Sequence, residues 1–154
     1  MMASTYQGTG RTIILATAVA GTLDILSACC YALYAGGTPI SMLRGVSGAI
    51  IGAAKSSAIA PLVGLALHYA IMAVMVAVFV LCAKRIPALI ARPFASGIGY
   101  GLITWAVMNL VVLPLRWPTL FPKFTALALS EQLFSHIVLV GLPIALIVSR
   151  RTSA

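Results

Sequence analysis

The sequence predicts an all-α fold, a four-helix transmembrane bundle with an additional interfacial or re-entrant helical segment. Of the 154 residues, 62% are hydrophobic and only 8% are charged, whereas an average soluble domain carries about 25% charged residues. So few charges cannot cover a surface that faces water. The apolar residues also form several long runs, each able to supply the helix of about 20 residues that crosses a hydrocarbon core. We therefore predict a single integral membrane domain over residues 1–154.

Four apolar runs define the predicted spans, and each run ends at turn-forming or charged residues. Gly36-Gly37-Thr38-Pro39 ends the first run, and Lys84-Arg85-Ile86-Pro87 ends the second. Pro61 lies in the first turn of the second span, where proline is tolerated. Pro93 precedes the third span, and Pro122 precedes the fourth. The predicted spans cover residues 12–34, 58–83, 94–115 and 124–148.

The segment 40–57 is apolar but also carries polar and basic residues at helical spacing. Arg44 and Lys55 fall on one side of a helix drawn through this segment. Gly48 and Gly52 follow a GxxxG spacing, which is typical of a small packing surface between membrane helices. This pattern predicts a helix that lies at the membrane interface or enters the membrane only partly.

The balance of charge is strongly basic, with ten Lys and Arg against two Asp and Glu and a formal net charge of +8. The cations lie between or beside the apolar runs, where they meet lipid headgroups. The lipid bilayer is therefore the expected partner, and the absence of a basic stripe interleaved with aromatics argues against nucleic acid.

With four spans, both termini lie on one side of the membrane. That side holds six cations: Arg11, Lys84, Arg85, Arg92, Arg150 and Arg151. The other side holds four: Arg44, Lys55, Arg116 and Lys123. The positive-inside rule favours cytoplasmic termini, and we expect the chain in the bacterial inner (plasma) membrane.

Asp24 is one of only two acidic residues, and it lies near the middle of the first apolar run. An ionisable side chain at that depth costs about 2.5–3.5 kcal/mol on insertion scales, so it needs a partner or a function. Thr17, Gly21, Ser27 and Tyr31 lie at helical spacing on the same stripe. Because polar and small faces meet other helices in a membrane, Asp24 is predicted to face the protein interior.

The other central polar residues are expected to lie at a similar depth. His68 and His136 are near the middle of the second and fourth spans, and Asn109 is in the third. Together with Asp24 and Tyr31 they form a predicted polar cluster. Histidine titrates near physiological pH, so the cluster suggests an ion or proton pathway in a transport-related or accessory membrane protein.

A structural explanation of Asp24 stays open beside the functional one. In it, Asp24 pairs with Arg44, Lys55 or a histidine and thereby holds the bundle together. Glu131, the other acidic residue, lies near the start of the fourth span, where it caps that helix or pairs with Lys123 or Arg116. The candidate charge partners are therefore Arg44, Lys55 and Glu131.

An alternative function is a haem-binding or redox-complex membrane subunit. His68 and His136, on different spans at similar depth, are the minimum that bis-histidine ligation needs. We otherwise expect no cofactor and no metal. The chain contains no HExxH, GxSxG or phosphate-loop motif, so the sequence identifies no catalytic residue. The GxxxG-like spacing is compatible with a homo-oligomer or a larger membrane complex.

Several segments resemble small four-helix bacterial inner-membrane proteins of the YagU-like group. They are Gly21-Thr22-Leu23-Asp24, the glycine-rich stretch 45–52, Gly64-Leu65-Ala66-Leu67-His68 and Gly97-Ile98-Gly99-Tyr100-Gly101. In hydropathy the similarity covers most of the chain. The resemblance implies a location in the inner membrane, and it implies no activity.

Overall fold

The structure, a computed structural model, describes residues 2–152, and in these residues all regular secondary structure is helical. The helices are α1 (Met2–Tyr34), α2 (Pro39–Ile51), α3 (Ala60–Arg85), the short α4 (Ala88–Ala91), α5 (Pro93–Arg116) and α6 (Ala126–Arg151). Within this part of the chain, α1, α3, α5 and α6 are long and apolar enough to cross a membrane. The predicted fold class is confirmed, and the chain is a multi-pass membrane protein.

Helix α1 begins at Met2, whereas the first predicted span begins at residue 12. No proline interrupts the segment before Arg11, and each added residue costs a helix little once its first turn has formed. The Thr12 hydroxyl also donates a hydrogen bond to the Gly8 carbonyl one turn earlier, at 2.8 Å. The polar residues before residue 12 therefore lie outside the predicted membrane span but still belong to the helix.

Helix α2 fills most of the segment 40–57, and its start is fixed by a reciprocal cap. The Ser41 amide donates to the Thr38 hydroxyl at 3.0 Å, and the Thr38 amide donates to the Ser41 hydroxyl at 2.9 Å. Such a capping box satisfies two amides that the first turn leaves unpaired. Gly52 ends the helix with φ at +53°, a conformation that glycine adopts without steric cost. A 3₁₀ turn, Gly52–Ser56, follows.

The small surface expected at Gly48 and Gly52 is not a packing surface between helices. Nothing lies within 4 Å of a Cβ placed on Gly52, and only the Lys55 side chain lies near Gly48, at 3.6 Å. Instead α2 packs on α3 through Gly64, where a Cβ would overlap the Leu43 carbonyl. The spacing was misleading because Gly52 serves to end α2.

A second close contact joins α5 and α6. A Cβ on Gly101 would lie 2.6 Å from the Ile137 Cα, and one on Gly97 would lie 2.8 Å from the Leu142 Cα. A Cβ on Gly141 would overlap the Gly97 carbonyl. Gly97 and Gly101 thus form the small-xxx-small surface that lets two membrane helices approach closely.

Both α5 and α6 contain a π-helical segment, and each segment precedes a proline. Met108–Val112 in α5 lies just before Pro114, and Ser135–Gly141 in α6 lies just before Pro143. Proline lacks an amide hydrogen and its ring collides with the carbonyl four residues earlier. Local π geometry relieves both problems in membrane helices, so the prolines account for the two wide turns.

The buried core lies in one half of the bundle. It consists of residues from α1, α3 and α6: Ala16, Ala20, Met72, Val76, Phe79, Val80, Ala83, Val140, Ile144, Ala145 and Val148. They extend from the middle of the bundle, where Met72 and Val140 lie, toward the end that carries both chain termini. Large apolar side chains such as Leu26, Leu62, Val74 and Leu81 are exposed on the outside, as a surface in contact with lipid requires. Asp24, His68 and His136 lie just beyond this core, toward the other end of the bundle.

Candidate functional site

A cavity of about 190 Å³ lies between the long helices, next to the buried core. Asp24 from α1, His68 from α3 and His136 from α6 line it. Each is about eight to ten residues from the helix end opposite the chain termini, about 12–15 Å at 1.5 Å per residue. The structure thus brings these three predicted residues together at one depth.

The remaining wall of this inner cavity is mostly apolar. Met72, Met75, Met108 and Val140 contribute to it, and Arg116 and Trp117 line it near the end of α5. Methionine fills irregular space with a flexible and polarisable side chain. The polar groups therefore face a small volume in which electrostatic interactions are stronger than in water.

The Asp24 carboxyl group and the His68 ring face each other in the site, and they form an ion pair when His68 is protonated. The Asp24 Oδ2 and the His68 Nδ1 are 3.9 Å apart, and the two side chains are 22% and 12% exposed. This separation is too long for a hydrogen bond, but it places the two groups face to face. A shift of about 1 Å or one bridging water would connect them.

A backbone contact fixes the tautomer of His68. Its Nε2 donates a hydrogen bond to the Gly21 carbonyl of α1 at 2.9 Å. A carbonyl only accepts, so Nε2 carries the hydrogen and Nδ1 of the neutral ring keeps its lone pair. The proton-accepting nitrogen of His68 is therefore the one that faces the Asp24 carboxyl group.

His136 is held by its own helix. Its Nδ1 donates to the Gln132 carbonyl one turn earlier at 2.9 Å. By the same reasoning, Nε2 is the nitrogen of His136 that takes up a proton. His136 lies in the π segment Ser135–Gly141, so the wide turn before Pro143 sets the direction of this ring.

Asn109 and Tyr31 are not among the residues that line the inner cavity, as far as the described residues show. Asn109 is buried, and its amide donates to the Gln132 side chain at 3.4 Å and to the Trp105 carbonyl at 3.2 Å. It therefore connects α5 to the helix of His136. Tyr31 is half-buried on α1, two turns beyond Asp24.

Of the partners considered for Asp24, a histidine is the one that lies beside it. In residues 2–152 the structure places His68 opposite Asp24, and it forms no salt bridge between Asp24 and Arg44 or Lys55, or between Glu131 and Lys123 or Arg116. Lys55 is exposed and lines a second cavity, the outer cavity, which lies beside α2. The Arg44 Nε is buried and makes no hydrogen bond to the described atoms, and Glu131 is half-buried near the start of α6.

Arg116 lines the inner cavity, a role that the sequence did not indicate. It donates from Nη2 to the Gly48 carbonyl at 2.8 Å and from Nε to the Ala49 carbonyl at 3.0 Å, both in the last turn of α2. The Gly48 carbonyl also accepts from the Gly52 amide. The Ser135 hydroxyl contacts the Ser27 hydroxyl at 3.1 Å, but Ser135 is not among the described residues that line the cavity. The sequence suggested that Arg116 is a lipid-facing anchor at a helix end or a partner of Glu131.

The haem hypothesis stays a prediction. The inner cavity is smaller than the about 300–1,000 Å³ that pockets for larger ligands enclose. Both histidines also use one ring nitrogen in a hydrogen bond to a backbone carbonyl. Among the described residues, no three His, Cys, Asp or Glu side chains are grouped as ligands for a metal ion. An absorption spectrum of the purified protein would test for haem directly.

Comparisons with known proteins place no constraint on this site. No protein-family model, no curated protein and no solved structure matches the chain. The resemblance to the YagU-like group therefore stays untested.

Proposed function

We propose that this membrane protein is a proton-binding transport component in which Asp24, His68 and His136 exchange protons. One observation carries the proposal: the Asp24 Oδ2 lies 3.9 Å from the His68 Nδ1, the ring nitrogen that the Gly21 contact leaves available, and both residues line one cavity. A structural tie needs only a stable contact. An acid opposite a nitrogen with a free lone pair is also the arrangement that proton exchange requires.

The elementary step conserves both atoms and charge. In one state Asp24 is a neutral acid and His68 a neutral base. Breaking the O–H bond of Asp24 and forming an N–H bond at the His68 Nδ1 gives a carboxylate beside an imidazolium. His136, whose Nε2 is free to accept, lines the same cavity and extends the route toward α6.

The inner cavity lies next to a larger outer cavity of about 450 Å³ beside α2, and Val46, Leu113, Arg116 and Trp117 form the wall between them. On the side of the chain termini the buried core follows the inner cavity, and its Phe79 is 1% exposed. In the proposed cycle, a movement of the shared wall would connect Asp24 with the outer cavity.

The proposal includes an orientation and a location. Lys84, Arg85, Arg150 and Arg151 lie in the last turns of α3 and α6, at the end that carries the termini. The positive-inside rule then favours cytoplasmic termini in a bacterial inner membrane. In this orientation the outer cavity opens on the side opposite the cytoplasm.

The test is proton flux into liposomes that contain the purified protein and a pH-sensitive dye. For Asp24→Asn we expect flux to fall to that of protein-free liposomes, because an amide does not ionise at physiological pH. Glu131→Gln is the matched control, since it removes the other acidic side chain, which does not line the inner cavity. We expect this control to keep the flux of the wild-type protein.

Folded yield and thermal unfolding of both variants separate the two explanations of Asp24. A well-folded Asp24→Asn protein without flux supports the proposal. A well-folded variant with unchanged flux contradicts it. Loss of folding in Asp24→Asn would support the structural tie instead, provided that Glu131→Gln folds normally.

A further inference from the structure

We infer that the outer cavity beside α2 binds the phosphate headgroup of an anionic phospholipid. This cavity, of about 450 Å³, is separate from the proton-binding residues and meets the inner cavity only along a shared wall. Its lining includes Lys55, Arg116, Trp117, Leu120 and Phe121. The inference goes beyond the proposed function and does not depend on it.

Two cationic side chains line this cavity and have hydrogen-bond donors that the described residues do not use. Lys55 follows α2 in the 3₁₀ turn, is exposed, and makes no hydrogen bond or ion pair within the part of the chain that the structure describes. Arg116 uses Nε and one Nη2 hydrogen on the carbonyls of α2. A guanidinium has five N–H donors, so three remain for a ligand. An ammonium and a guanidinium on one cavity are typical of a phosphate site.

The protein does not supply a counter-ion for these charges. The chain has two acidic side chains. Asp24 lines the inner cavity and pairs with His68, and Glu131 is not among the described residues that line the outer cavity. An anion from outside the chain is therefore the natural partner, and the most abundant anions beside a membrane helix end are lipid headgroups.

The rest of the wall fits the remainder of a lipid better than it fits a free ion. Leu113, Leu120, Trp117 and Phe121 make most of the lining apolar. Trp117 is also of the aromatic type that lies at headgroup level. The Arg116 guanidinium lies 5.6 Å from the centre of the Trp117 ring, which holds that ring beside the basic group. The volume is in the range of about 300–1,000 Å³ that pockets for larger ligands enclose.

The experiment measures lipid retention by native mass spectrometry. The full-length protein is incubated in detergent with phosphatidylglycerol or with zwitterionic phosphatidylcholine. We expect selective retention of phosphatidylglycerol, reduced about five-fold in Lys55→Gln, because one cation near the membrane surface contributes roughly that factor. Lys84→Gln is the matched control, since Lys84 is an exposed cation at the other end of the bundle. It should retain the lipid as the wild-type protein does.

Three outcomes would overturn the inference. One is equal retention of the two lipids, and another is an equal loss in Lys55→Gln and Lys84→Gln. The third is displacement of phosphatidylglycerol by millimolar inorganic phosphate, which would identify a site for free anions. Arg116→Lys serves as a second variant. It keeps the charge but not the two-pronged contact with α2, so it should retain more lipid than Arg116→Gln.

Discussion

His68 illustrates at the scale of one residue how packing and chemistry depend on the same side chain. Its Nε2 is bound to the Gly21 carbonyl, and this contact helps to hold α3 against α1. The same contact fixes which nitrogen faces Asp24. The hydrogen bond that stabilises the bundle therefore also prepares the ring to accept a proton.

The contact between Asp24 and His68 should be measurable as an energetic coupling. In a double-mutant cycle with Asp24→Asn and His68→Gln, we expect a coupling of about 0.6 kcal/mol, the average for polar contacts between membrane helices, and at most about 1.7 kcal/mol. The measurement is the free energy of unfolding in detergent for the four proteins. Tyr69→Phe in place of His68→Gln is the control, because Tyr69 bonds to Thr22 at 2.8 Å. If the coupling energy between Asp24 and His68 equals that between Asp24 and Tyr69, the two side chains of the proposed pair do not interact specifically.

The sequence predicted which polar residues lie close together better than it predicted which basic residue pairs with Asp24. Asp24, His68 and His136 share a cavity because each lies on the small and polar face of its own helix, which local spacing reveals. Arg44 and Lys55 were attractive partners because a buried carboxylate needs a cation. Their positions depend on how α2 crosses the bundle, and this is a tertiary property that spacing does not contain.

At the scale of the element, two prolines determine the local geometry of the site. Pro114 and Pro143 each follow a π segment, and these segments contain Met108, Asn109 and His136. A wide turn shifts the register of a helix by about one residue, which rotates later side chains by about 100°. The inner cavity is thus built where the helices depart from regular α geometry.

Replacing Pro143 with Ala should change the position of His136 in the site and leave the stability of the protein nearly unchanged. The restored amide can donate to the Leu139 carbonyl and favour a regular helix, which would turn His136 relative to the rest of α6. We expect lower proton flux with an unchanged or higher unfolding temperature. Pro61→Ala is the control, because Pro61 lies in the first turn of α3, where no donor is missing. Unchanged flux in Pro143→Ala would show that the wide turn is not needed.

At the scale of the whole molecule, the buried core and the inner cavity lie at different depths. The core extends toward the chain termini and the basic helix ends, and the inner and outer cavities lie toward the other helix ends. Composition and run length were sufficient to predict the four long helices, because crossing a bilayer imposes a length and an apolar surface. The depths of the core and the cavities were not predicted, since they depend on how the helices pack against one another and on where α2 lies.

The proposed orientation predicts the outcome of reporter fusions. A fluorescent protein that folds only in the cytoplasm should be bright when fused after residue 154. An enzyme active only outside the cytoplasm should be inactive there and active when inserted after Pro118, in the connection between α5 and α6. The reverse pattern would place the termini on the outer side.

The most direct test of the central claim is chemical modification of the wild-type protein in liposomes. A hydrophobic carbodiimide reacts with protonated carboxyl groups inside membrane proteins, and mass spectrometry reports the modified fraction of Asp24. If Asp24 carries protons through the inner cavity, proton flux should fall in proportion to that fraction. Because the wild-type protein is modified after it has folded, a loss of flux does not result from misfolding of a variant. Complete modification of Asp24 with unchanged flux would contradict the account.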